Sequence, residues 1–229
     1  MFGSKIEDQM FTSQVSISIE TLLHLRHPMQ YVGFDWPGYK RLSEEIGEGS
    51  GLKLTYKEGL LTIVPTSELH ELIASILHNF ITFAGMSLQK EIISTGSATL
   101  RSKRRNFGVE PDLSYFVSKA DIHQTKATVE EEIDLAPDIV VEIDIHHKSD
   151  QKVEIYAEFG ISEFWRYDGE RLVISRLQPD GSYLAIPDSV EIPVLNAEVL
   201  SEFLARGQKE KQFVVLSDFQ NWLGEKLGA

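Results

Sequence analysis

A chain of 229 residues, 42% hydrophobic and 25% charged, has an ordinary globular composition and is long enough for one elaborated domain, or one domain plus a small appendage, with a large core. It contains no cysteine, which excludes disulfides, thiolate zinc sites and thiol catalysis. Thirty-five acidic against twenty-two basic residues give a net charge of −13, which weighs against tight non-specific binding to nucleic acid, because such binding depends on Lys and Arg neutralising phosphates.

The first fifteen residues read as a loose arm. They hold no apolar run suited to a signal-peptide core, and no stretch approaches the roughly 20 apolar residues of a membrane span, so the cytoplasm is the expected setting. Ile19 to Arg26 suits a short helix. Pro37 to Ile46 suits another, with Pro37 in the first turn and Tyr39, Leu42 and Ile46 at helical spacing. Leu52 to Tyr56 and Leu60 to Val64 alternate around Lys57-Glu58-Gly59 and predict a hairpin. Ser67 can cap a helix running to about Leu88, with Leu69, Leu72, Ile73, Ile76, Leu77, Phe80 and Ile81 on its apolar face.

Strands are expected at Glu91 to Thr95, Ala98 to Ser102 and Asp112 to Val117, then a polar surface loop with a helical piece from Lys119 to Leu135. Asp138 to Ile143 is nearly unbroken apolar sequence, as in a strand covered on both faces. A helix from Lys152 to Phe159 stops at Gly160, and Glu163 to Tyr167 pairs with Leu172 to Leu177 across Asp168-Gly169. Ala197 to Ala205 and Asp218 to Leu227 read as closing helices. The order predicts an α/β protein built on one mixed sheet flanked by helices.

Two segments place acids where a core prefers apolar groups: Val109-Glu110-Pro111-Asp112-Leu113-Ser114-Tyr115 and Pro137-Asp138-Ile139-Val140-Val141-Glu142-Ile143-Asp144. In the second, Val140, Glu142 and Asp144 share one strand face, and Ile139, Val141 and Ile143 share the other. A glutamate inside such a strand is costly unless it is paired or bound to a metal. Carboxylates converging from adjacent strands make an oxygen-rich site of the type magnesium prefers. The alternative is a strand end whose acids reach solvent or an arginine.

The ordered set Pro65-Thr-Ser-Glu-Leu-His70-Glu71, Gly108-Val-Glu-Pro-Asp112, Pro137-Asp-Ile-Val-Val-Glu142-Ile-Asp144, Lys152-Val-Glu-Ile-Tyr156 and Gly160-Ile-Ser-Glu-Phe-Trp165-Arg-Tyr-Asp-Gly169 resembles the Uma-two family of restriction-endonuclease-like proteins, over roughly residues 35 to 205. Residues 1–34 would then be an arm and 206–229 a C-terminal helix. The resemblance implies a restriction-endonuclease-like mixed β-sheet flanked by helices, with a DNA-cleaving site that uses magnesium or manganese. It implies that Asp112 and Glu142 are the catalytic acids and metal ligands, with Glu71 a further carboxylate beside them. The superfamily motif places a lysine two residues after the glutamate. Asp144 stands there instead, and the resemblance passes the lysine role to Lys152, with Lys148 as the other candidate.

Four of the five residues Arg101, Ser102, Lys103, Arg104 and Arg105 are basic, which makes Arg101, Lys103, Arg104 and Arg105 candidate phosphate contacts or else a solvated loop. His70 reads as a capping or packing residue before a ligand. A metal role for the adjacent His146 and His147 is the minor reading. Trp165 and Tyr167 read as core or dimer surface before base-stacking platforms. The expected function is metal-dependent DNA cleavage by a chain that can form a homodimer. The alternatives are a non-catalytic nucleic-acid-binding or protein-interaction module on the same fold, favoured by the charge of −13 and the displaced lysine, and an RNA or small-molecule phosphodiesterase.

Overall fold

The computed structural model describes residues 18–47, 49–123, 128–130, 134–145 and 148–228. In chain order its elements are α1 (Ile19–Leu23), β1 (Met29–Val32), α2 (Trp36–Ile46), β2 (Leu52–Lys57), β3 (Leu60–Pro65), α3 (Glu68–Leu88), β4 (Ile93–Ser94), β5 (Thr99–Ser102), β6 (Phe107–Val109) and β7 (Leu113–Phe116). A 3₁₀ turn at Ala120–Ile122 leads to β8 (Thr128–Glu130) and β9 (Ile139–Ile143). Then come α4 (Asp150–Glu158), β10 (Glu163–Tyr167), β11 (Leu172–Leu177), β12 (Tyr183–Ile186), α5 (Ala197–Gly207) and α6 (Gln212–Leu227).

The mixed α/β class is as the sequence predicts, but the strands divide between two mixed sheets rather than forming one. Among the described residues the first sheet runs β1-β3-β2-β6-β5-β8, and the second runs β12-β11-β10-β9-β7-β4. Each contains one parallel pair, β5 with β8 and β9 with β10. The strands that the sequence reading missed are short or weakly patterned. β6 has three residues, β8 buries only Val129, and β1 and β12 lie at sheet edges. The helix expected from Asp218 begins at Gln212, where Lys211 makes no side-chain cap, so no sequence signal marked its start. The arm of the first fifteen residues, the histidine pair at 146 and 147, and glutamates 131 and 132 fall outside the described residues.

Burial explains how the layers assemble. One face of β9 carries Ile139, Val141 and Ile143, which join Trp165 and Tyr167 of β10 against α3, α5 and α6. Trp165 and Tyr167 are therefore core residues. Val140 and Phe164, on the opposite face, meet Ile155 and Tyr156 of α4 and Phe159 just past its end, and Leu100, Phe107 and Val109 of the first sheet join the same cluster. Thus α4 is the packing link between the two sheets. A third cluster holds α2 on β2 and β3 through Tyr39, Leu42, Leu54, Tyr56, Leu61 and Ile63.

Helix α3 is long and apolar enough to cross a bilayer by length and composition alone. Its apolar stripe, Ile73, Ile76, Leu77, Phe80, Ile81 and Ala84, is instead buried in the core. Its start is fixed by Ser67, whose hydroxyl accepts from the His70 amide at 3.2 Å, as a capping serine should.

Close packing sets one strict size limit. Gly108, in the middle of β6, faces the ring of the fully buried Tyr39, and a Cβ at this position would overlap that ring. Tyr39 is itself stacked on Tyr56, with centroids 4.9 Å apart, so it has little room to retreat. Gly108→Ala is expected to destabilise the protein by about 1–3 kcal/mol, the usual cost of overpacking a filled core. Urea denaturation of the two forms checks this; equal midpoints would refute it.

Candidate active site

Strand pairing brings two acids together. β7 runs antiparallel to β9 with Leu113 opposite Val141, and the Asp112 amide extends the ladder by donating to the Val141 carbonyl at 3.1 Å. Asp112 therefore lies beside the end of β9, where its Oδ2 accepts from the Ile143 amide at 2.7 Å. Glu142 projects from the face of β9 that meets α4, as strand alternation requires.

Helix α4 carries Lys152 and Tyr156 one turn apart, and both reach Glu142. Lys152 Nζ lies 2.8 Å from Glu142 Oε2 and also donates to the Glu110 carbonyl at 3.2 Å. The Tyr156 hydroxyl donates to Glu142 Oε1. Only 2% of Glu142 and 8% of Lys152 are exposed. Burial pushes the Glu142 carboxyl up to about 7, against the opposing pull of the Lys152 ammonium. Burial also works against the charge on Lys152, but Glu142 and Asp112 more than offset it, so the ammonium is favoured.

Asp112 is buried, which would raise its pKa, yet the hydrogen bond from His70 and the charge of Lys152 hold it below the ordinary value. His70 Nε2 lies 2.9 Å from Asp112 Oδ2, and its Nδ1 lies 3.2 Å from Glu71. Burial tends to lower the His70 pKa; the hydrogen bonds and charges of Asp112 and Glu71 overcome it and raise it to about 9. His70 is thus more than a packing residue: it orients Asp112.

These groups line a cavity of about 580 Å³ whose walls include Lys53, His70, Asp112, Glu142, Asp144 and Lys152. Asp144, in the motif's lysine slot, accepts from both the amide and the hydroxyl of Ser149 at 2.9 Å. It thereby fixes the turn into α4 and so the start of the helix that carries Lys152. Lys148 also lines this cavity.

Not every candidate converges there. Asp112, Glu142 and Lys152 do. Glu71 contacts the outer side of His70 and is mostly exposed, and it is not part of the cavity wall around Glu142. The basic run splits. Arg101 is buried against α2, Lys103 and Arg104 are exposed on the β5–β6 turn, and Arg105 pairs with Glu158 of α4. None of the four lines the carboxylate cavity.

Lys53 was not singled out by sequence. Its Nζ donates to the Pro111 carbonyl at 3.1 Å and stands 4.0 Å from Asp112 Oδ1. On an alternating hairpin strand it has the pattern of a solvent-facing lysine, so nothing local marks it. Among the described residues no group of three or more His, Asp or Glu is placed to hold a metal ion. The carboxylates on the cavity wall are Asp112 and Glu142, with Glu68 from the first turn of α3 and with Asp144 engaged by Ser149.

The scaffold is a mixed α/β one that carries two buried acids and a buried lysine to one cleft. The chain belongs to the Uma2 family, described as "Putative restriction endonuclease", whose profile matches residues 36–208. No curated protein matches it. Among solved structures it is similar to a candidate nuclease belonging to DUF820 from Anabaena variabilis ATCC 29413, at 16% identity and a TM-score of 0.43, over 74% of this chain and 90% of that one. It is also similar to the type IIG restriction endonuclease BpuSI, at 14% identity and a TM-score of 0.30, over 69% of this chain but only 16% of that one.

The His70 pairing has a pH signature. A histidine whose folded pKa is about 9, against 6.5 unfolded, contributes stability that is fully present below 6.5 and lost as pH rises through about 9. In chelator-treated protein, His70→Gln should remove that loss, leaving a flatter stability profile between pH 6.5 and 9.5 than wild type. Urea midpoints across the range test it, and parallel profiles would refute it.

Proposed function

We propose that this chain is a magnesium- or manganese-dependent endonuclease that hydrolyses DNA phosphodiester bonds in the Asp112–Glu142 cleft. The observation that carries the reading is the convergence of two buried acids, from neighbouring strands, with the buried Lys152 on the wall of one cavity.

The donor set fits such an ion by chemistry. Magnesium is commonly held by one or two carboxylates and completes its shell with water, so Asp112 and Glu142 would hold it without a third acidic ligand. Bound there, the ion would supply polarisation of the phosphodiester and a lowered pKa for an attacking water. The chain's own residues do the rest. Tyr156 and Lys152 fix the Glu142 carboxylate, the Ile143 amide and His70 fix Asp112, and all four contacts limit how far the acids can wander. Lys152 brings a positive charge to the cleft where negative charge develops on a phosphoryl oxygen. Lys53 and Lys148, on the same cavity wall, are suited to flanking phosphates. This local cationic lining is how a chain of net charge −13 can engage DNA.

Nicking of supercoiled plasmid in magnesium or manganese tests the proposal. Asp112→Asn and Glu142→Gln should each fall to background with the fold intact by circular dichroism. Lys152→Ala should keep metal binding by calorimetry but cleave roughly 10²–10³-fold more slowly, the scale of losing one electrostatic stabiliser. Wild-type protein that neither binds the metals nor cuts DNA would overturn the proposal in favour of a non-catalytic module on this fold.

A further inference from the structure

A second cavity, of about 510 Å³, adjoins the carboxylate cleft and shares Lys53 and Thr66 with it. Its wall includes Ser43 and Glu44 of α2, Thr99 and Arg101 of β5, and Glu110. Arg101 is 4% exposed, an unusual degree of burial for a guanidinium. An arginine has five N–H donors. Among the described residues its one hydrogen bond is from Nη2 to the Ser43 hydroxyl at 2.8 Å. The carboxylates of Glu44 and Glu130 stand off at 3.7 and 4.0 Å from Nη1, and buried Nε has no partner among the described residues. The ring of Tyr39 lies beneath the guanidinium, 5.7 Å from centroid to Cζ. Nε is sealed from the cavity, so the donors left to a ligand are those of Nη1 and the second N–H of Nη2; a structural tie between α2 and β5 needs the Ser43 bond and the ring contact, and does not need a cavity in front of these.

The surroundings also choose the ligand chemistry. A phosphate would meet Arg101 but would be repelled by Glu44, Glu110 and Glu130. A neutral planar group with acceptors on one edge and donors on the next suits both signs at once. Guanine has this pattern: its O6 and N7 accept from arginine, and its ring N–H and amino group donate to carboxylates. The Ser43 hydroxyl, accepting from Arg101, keeps its own proton for a ligand, and the Thr99 hydroxyl, which donates to Glu110 at 3.4 Å, keeps its lone pairs.

Taking the first cleft as that of a nuclease, we infer that the second cavity receives an unpaired base of the substrate strand, with guanine the preferred occupant. Lys53, common to both cavities, then stands between the scissile position and the bound base. Arg101 is a specificity residue in this arrangement and not a catalytic one.

Binding can be measured apart from cleavage. Chelator-treated wild-type protein is titrated by saturation-transfer NMR with deoxyguanosine, deoxyadenosine, deoxycytidine, thymidine and inorganic phosphate, one at a time. Deoxyguanosine should bind at least about tenfold more tightly than thymidine or phosphate, the order of discrimination one bidentate arginine gives. Arg101→Gln should abolish that preference and Arg101→Lys should restore part of it, with unfolding midpoints reported for both. Equal response to all four nucleosides, or binding of phosphate alone, would overturn the inference without any variant. An unchanged preference in folded Arg101→Gln would do so as well. Guanine-selective binding by a chain that never cuts DNA would support the pocket and count against the nuclease reading alone. Cleavage abolished by Asp112→Asn, in a protein indifferent to deoxyguanosine, would do the reverse.

Discussion

A carboxylate placed between a sheet and a helix is tolerated only if its charge is met on the spot. Glu142 is met twice, by Lys152 and by Tyr156, and both donors come from the same face of α4. Breaking such a pair from one side typically costs about 3–5 kcal/mol, because the remaining charge is left buried. The helix cannot slide or rotate without that cost, and the helix is what joins the two sheets through Ile155 and Phe159. The electrostatics of the cleft and the packing of the molecule are therefore one constraint. β9 must be central, α4 must lie across it, and β7 must pair on the side that leaves Asp112 at the same end.

Buried acids elsewhere show why that constraint is particular to Glu142. Asp138 accepts from the Val117 and Lys119 amides and pairs with the Lys119 ammonium. Glu163 accepts from Trp165 Nε1, from the Ser189 hydroxyl and from the amides of Val190 and Glu191. Both pin loops to strand ends, and their oxygens are spent on fixed local donors. Glu142 is held by two side chains, and one of them, Lys152, also belongs to the cavity wall, so its environment can change when something enters.

In the sequence these three acids look alike. Each sits within or at the start of an apolar strand segment, and the periodicity of Ile139 to Ile143 shows only that Glu142 and Val140 share a face. The long periodic elements were legible: α3 with its Ser67 cap, the β2–β3 hairpin and the β10–β11 hairpin need no distant partner to be recognised. The convergence of Asp112, Glu142 and Lys152 was legible through the ordered motifs of the family. The division into two sheets was not, because it depends on three-residue β6 pairing with β2 and β5, a choice made by long-range packing around Gly108 and Tyr39. His70 reaching Asp112 and Lys53 standing beside it were hidden for the same reason. Each lies more than forty positions from its partner in sequence, and nothing near either residue announces the contact. Conversely, Arg101 to Arg105 looked like one basic patch only because it was read along the chain. A strand end and a turn send its members to different neighbours.

Asp144 does something for heredity as well as for geometry. By seizing Ser149 it sets where α4 starts, and the ammonium that meets Glu142 is delivered from that helix and not from the strand itself. The position of the cation in the chain has thus come loose from its position in space. A chain in which the stretch between Asp144 and Ser149 differed in length would keep the charge in place, provided the Asp144–Ser149 contact and the helix docking persisted. A search for relatives by fixed spacing between glutamate and lysine would pass over such chains. One that asks which ammonium lies within reach of the strand's glutamate would gather them.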